Sequence, residues 1–132
     1  MKLLFPLLMS MLPAAMVAQS PPSQQPPKPK TTEVLVIQTV KEGVALPQVM
    51  AILPAEIRAT VKLYLEGKIR QWYSRGDGRG VVFLIDAKTV DEANAVIETM
   101  PLSKENLVDH EYIPVGPLLP LAALIGGPPA SQ

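Results

Sequence analysis

Ile69–Ala87 reads IRQWYSRGDGRGVVFLIDA, two strand-like runs around a loop with three glycines. The runs are Ile69–Arg75 and Val81–Ala87, and Gly76, Gly78 and Gly80 lie between them. Glycine adopts positive φ without a steric cost, so this loop predicts a hairpin. Upstream, Glu33–Val40 (EVLVIQTV) is apolar and β-branched on both parities. That pattern predicts a strand buried on both faces, and Val81–Ala87 shares it. Leu107–Val115 (LVDHEYIPV) predicts a last strand, whose Pro114 suits an edge or a strand end.

Between these strands the period changes from two to about four. Apolar residues recur at Val49, Leu53, Ile57, Val61 and Leu65, a stripe that predicts the buried face of a helix. Pro47 suits the start of that helix and Gly67 its end. Pro54 lacks an N–H, so it is expected to begin a second helical piece, with Glu56 in its first turn. Thr89 and Glu92 form a capping box ahead of a helix carrying Val90, Ala93, Val96, Ile97 and Met100, which Pro101 ends. Arg58 and Lys62, one turn apart, read as a solvated face.

The order is therefore β-α-β-β-α-β. A hairpin flanked by two β-α crossovers predicts an α+β fold, a ferredoxin-like βαββαβ sandwich with an antiparallel four-stranded sheet. In that topology the first and third strands are central, and helices cover one face of the sheet only. Both central strands are apolar on both parities, so the other face is expected to meet a second copy. A homodimer or higher homo-oligomer follows.

Three stretches carry a resemblance to a known family: IRQWYSRGDGRGVVFLI, the DEANAVIETMPL stretch and IPVGPLLPL. Together they resemble the muconolactone isomerase family of the dimeric α/β-barrel superfamily. The shared marks are a Trp-containing second strand, a capped second helix ending in Met100-Pro101-Leu102, and a last strand running into Gly116-Pro117-Leu118. The likeness spans about Thr31–Ile125. It implies a dimeric α/β barrel and an isomerase that moves a double bond within a small unsaturated lactone or related acid.

The ends read differently. Residues 1–18 (MKLLFPLLMSMLPAAMVA) have a Lys2 n-region, an apolar run and small residues before Ala18, the layout of a secretory signal peptide. Pro6, Ser10 and Pro13 interrupt the run, which is short for a membrane span. Export to a periplasm or the outside is expected, with no stable membrane anchor after cleavage. Residues 19–30 (QSPPSQQPPKPK) predict a Pro/Gln-rich linker. The domain is expected over residues 31–127 and a disordered tail over 128–132. Leu118–Ile125 (LLPLAALI) is expected to fold over a core edge or a partner.

Composition excludes several functions. From Thr31 onward there are nine basic and twelve acidic residues, a net of −3, which argues against nucleic acid as a partner. There is no cysteine and one histidine, so thiolate chemistry and a multi-His metal site are excluded. No cofactor is expected. The GDGRG loop lacks the Lys-Ser/Thr of a P-loop and opens no helix.

The candidate site is drawn from two strands. His110 can act as a general base; the alternative is a partly exposed or hydrogen-bonded histidine on an edge strand. Tyr73 or Tyr112 can donate to an enolate-like oxygen, and Arg75 can clamp a carboxylate. Trp72 can wall the pocket, or simply pack in the core. Strand alternation sends Tyr73 and Arg75 to one face and Trp72 to the other, while His110 shares a face with Tyr112. Two further readings of the function stay open: a cofactor-free oxygenase on the same scaffold, and a non-catalytic small-ligand-binding or dimerisation module.

Overall fold

A computed structural model describes residues 28–119, together with Ala18 and Ser20. The leader, most of the linker, the tail and most of Leu118–Ile125 lie outside the described residues. Strand β1 is Glu33–Val40, helix α1 Leu46–Leu65, β2 Ile69–Ser74 and β3 Gly80–Ile85. They are followed by α2 Val90–Ile97, α3 Pro101–Lys104 and β4 Val108–Val115. The four strands form one antiparallel sheet in the order β2-β3-β1-β4. The chain thus folds as an α+β domain, with β1 and β3 central as their apolar character requires.

Alternation along β1 divides the molecule. Val34, Val36 and Gln38 are buried on the helix-bearing face. Phe83 and Ile85 of β3 join Val34 and Val36 there, against Leu63 of α1, Ala93 and Ile97 of α2, and Met100. Leu35, Ile37, Val82 and Leu84 have the opposite parity and are only partly covered. They form one apolar patch, since Leu35 pairs with Leu84 and Ile37 with Val82. Ile113 extends it on the β4 side, opposite Leu35.

The hairpin forms as expected between β2 and β3, and Gly80 is fixed there by its neighbour. A Cβ at Gly80 would overlap the Gln38 carbonyl of β1, so only glycine fits at that crossing. Gly67 ends α1 at φ 76°. Its N–H donates to the Tyr64 carbonyl at 3.0 Å and the Lys68 N–H to the Leu63 carbonyl at 2.9 Å. These are the two bonds of a Schellman stop.

Helix α1 differs from the sequence reading in two ways. It runs unbroken from Leu46 to Leu65 with Pro54 inside it. Pro54 lies on the exposed side, where water can take the carbonyl that loses its partner. The buried face is also not the predicted stripe. Glu56, Thr60 and Leu63 turn inward, while Ile57, Val61 and Leu65 are exposed. The apolar arc of α1 is wider than its buried face, so part of it lies exposed along one flank.

The second crossover also differs. Helix α2 stops at Ile97, and Pro101 opens the short α3 instead of ending α2. A proline at the first helical position loses nothing, because its N–H would be unpaired there anyway.

The cap at α2 is present. Thr89 Oγ1 accepts the Glu92 N–H at 3.2 Å, and the Glu92 carboxylate accepts the Lys88 N–H at 2.9 Å. Thr89→Ala is expected to destabilise the domain by about 1 kcal/mol. Urea denaturation checks this, and an unchanged midpoint would remove Thr89 from the cap.

Candidate functional site

Gln38 is the one polar side chain on the buried face of β1, at 1% exposure. Strand register sets it opposite His110 of β4. The Gln38 Oε1 lies 2.9 Å from His110 Nε2. An amide oxygen can only accept, so Nε2 carries the hydrogen and donates. Ser103 of α3 stands 3.5 Å from the same nitrogen. On the other side of Gln38 lies Glu56 of α1, near enough for the Gln38 side chain to favour the charged carboxylate.

Glu56 is 4% exposed. Its Oε2 accepts the backbone N–H of Leu102 at 2.8 Å, while Oε1 is buried without a hydrogen-bond partner among the described residues. Burial raises the Glu56 pKa above the usual carboxylate value, opposed by the Leu102 N–H and the Gln38 side chain. Desolvation disfavours the charged form, and two bonds do not offset it. Burial acts on His110 in the opposite sense and lowers its pKa, opposed by the nearby Asp109 charge and reinforced by Lys41. The result is a buried acid and a half-buried imidazole bridged by one amide, the kind of arrangement that proton-transfer sites use.

A cavity of about 440 Å³ adjoins this group. Leu46, Val49, Met50 and Leu53 of α1 form its apolar side. Gln38 and Leu102, the two neighbours that touch Glu56, are part of its wall. Lys41, Arg79 and Gly80 complete the end near the hairpin. Lys41 Nζ is held by Asn106 Oδ1 at 2.6 Å. The cavity is mostly apolar with a few polar groups, as small-molecule sites are.

The residues picked from sequence do not gather into one site. His110 joins the interior group but does not line the cavity. Tyr112 donates to Asn94 Oδ1 at 2.7 Å, which ties it to α2, and burial raises its pKa. Arg75 is held by Thr39 and by Asp77 Oδ2, and so stays at the hairpin. Tyr73 donates to Gln71 Oε1 at 2.5 Å on the exposed side. Trp72 sits on Tyr64 with ring centroids 4.5 Å apart and planes at 75°. Trp72, Tyr73 and Tyr64 border a shallow hollow of about 220 Å³, separate from the larger cavity.

Glu56 and Gln38 were missed as site residues. The signal existed for Gln38, a polar residue at an inward position of an otherwise apolar strand. Glu56 was hidden because Pro54 made it read as a first-turn residue. Among the described residues no group of three His, Asp or Glu side chains gathers to hold a metal, and no helix is long and apolar enough to cross a membrane. Comparison with known protein families finds no match to this chain, and a search of curated proteins finds none.

The two shifted groups act on stability in opposite pH windows. The raised Glu56 pKa contributes stability that is full below the usual carboxylate value and is lost as pH rises through the folded value. The lowered His110 pKa contributes stability that is present above the usual histidine value and is lost as pH falls through the folded one. Glu56→Gln is therefore expected to flatten the loss on the alkaline side of about pH 4.5, and His110→Gln the loss on the acid side of about pH 6.5. Thermal melts of the three proteins from pH 3.5 to 8 check this. Parallel curves would remove both groups from the linkage.

Proposed function

We propose that this chain is an exported ferredoxin-like domain of the dimeric α/β-barrel type that binds a small unsaturated molecule between α1 and the sheet. It moves a proton on that molecule in the manner of muconolactone isomerase. The observation that carries this reading is Glu56, a buried carboxyl with a raised pKa, bonded through Oε2 to Leu102 of the cavity wall and with Oε1 unpartnered among the described residues. Isomerisation of a double bond needs a base to remove a proton next to the conjugated system and then to return it elsewhere. The atoms balance without an oxidant. Burial brings a carboxyl towards the range where it can take and give back a proton near neutrality. Gln38, oriented by His110, is the donor placed to steady an enolate-like oxygen, and His110 is a positioning residue in this account. The Pro-rich linker and the apolar leader support export.

The same geometry supports a binding reading on one observation. Glu56 and His110 both stand behind the wall, and only Gln38 and Leu102 of their group meet the cavity. One experiment separates the two. An unsaturated γ-lactone acid is incubated in D2O with the wild type and with Glu56→Gln, and deuterium uptake is read by NMR. The expected result is uptake by the wild type and a 10²–10⁴-fold slower rate in the variant, roughly the scale of lost acid–base catalysis. Binding without uptake in either protein would leave a ligand-binding module.

The strand order, with β1 and β3 central, supports a dimer built through the helix-free face of the sheet. Leu35, Ile37, Val82 and Leu84 would meet their copies there, as a two-fold arrangement requires. Leu35→Asp would place an unpaired charge in that contact. Sedimentation is expected to show dissociation of the variant through this face, and equal masses for the two proteins would contradict the arrangement.

A further inference from the structure

The flank of α1 poses a separate question, independent of the catalytic reading. Leu46 is 70% exposed, Met50 54%, Ile57 54%, Val61 41%, Tyr64 45% and Leu65 77%. At 100° per residue, Met50, Ile57, Val61 and Tyr64 fall within about 60° of arc, with Leu46 aligned on them. They make a seam along the helix of roughly 27 Å, from the 1.5 Å rise per residue. Trp72 of β2, 39% exposed and packed edge-on against Tyr64, extends it at the C-terminal end. No charged residue interrupts the seam.

We propose that a second copy of this chain covers this flank, with α1 against α1 and antiparallel about a two-fold axis passing near Ile57. Three features select a copy of the same chain. The seam advances in steps of four and three residues through Met50, Leu53, Ile57, Val61 and Tyr64, the spacing with which helices interlock. It is also self-complementary. With Ile57 on the axis, Met50 meets Tyr64 of the other copy and Leu53 meets Val61, while Leu46 falls outside these pairs, opposite Lys68. Finally, its area is sufficient. The exposed parts of Leu46, Met50, Ile57, Val61, Tyr64 and Trp72 come to at most roughly 600 Å² per copy, or about 1,200 Å² for two when wholly covered, the lower edge of the range of a stable interface.

This contact uses a different surface from the helix-free sheet face. Leu46 and Met50 line the cavity as well as the seam, so the second copy would also close the cavity's outer side.

The chain has no cysteine, which makes the test clean. The full chain is prepared as Ile57→Cys, as Lys104→Cys for a control on α3, and as a double variant that combines Ile57→Cys with Leu121→Cys. Each is oxidised at micromolar concentration and run on a non-reducing gel. Ile57→Cys is expected to give a covalent dimer and Lys104→Cys to stay single. The dimer band is expected to persist when Leu35→Asp is added, which separates this contact from the sheet contact. In a second arm, Val61→Glu is expected to halve the sedimenting mass with an unchanged circular dichroism spectrum. The emission of Trp72, the only tryptophan, is expected to shift to the blue as wild-type concentration rises, and Val61→Glu to abolish the shift. Ile57→Cys remaining single under oxidation would overturn the proposal. So would a dominant disulfide between the two introduced thiols of the double variant, which would make the apolar C-terminal segment the occupant.

Discussion

A buried amide at the centre of the sheet constrains everything packed around it. Gln38 stands on a face otherwise made of Val34 and Val36, with only an edge of it reaching the cavity wall. Its oxygen and nitrogen each need a partner, because an unpaired buried polar group costs about 1–3 kcal/mol. His110 meets one need, and the Glu56 carboxyl lies near enough to interact with the rest of the amide. This sets the roll of α1, since Glu56 must face inward. It also sets the seat of α3, because Glu56 takes the Leu102 N–H. The exposure of the α1 flank follows from the same roll. Had the predicted apolar stripe turned inward, Glu56 would have pointed towards solvent and Gln38 would have lost a neighbour.

The fold was legible because its signals are local or periodic. β1 and β3 are apolar on both parities, so their central place could be read from residues alone. The glycines of GDGRG marked the hairpin, Gly67 the end of α1, and Thr89 with Glu92 the start of α2. What misled was a rule applied one residue at a time. Pro54 argues for a break only if the freed carbonyl is buried, and here the proline lies on the exposed side. Likewise Pro101 could equally end one helix or start another, and sequence does not say which.

The site was less legible, for a physical reason. Tryptophan, tyrosine, arginine and histidine draw the eye because they carry chemistry in isolation. Their roles here were decided by neighbours distant in sequence: Tyr112 by Asn94, Arg75 by Thr39, His110 by Gln38. Glu56 becomes unusual only because the fold buries it, and burial is the property that a single residue shows least. The apolar flank of α1 likewise emerges only when the packing of the helix is known, whereas the helix-free sheet face could be read from the two-parity apolar strands.

Glu56 is central: a buried carboxyl, held by the Leu102 N–H, whose charged form Gln38 favours. The most direct measurement is a carbon NMR titration of the Glu56 carboxyl in the wild type and in Gln38→Met. The expected midpoint in the wild type lies above the usual carboxylate value of 4.5. It is expected to rise further in the variant, which keeps the burial and loses a bond to the charged form. A midpoint at or below 4.5 in the wild type, or one unmoved by Gln38→Met, would contradict the account.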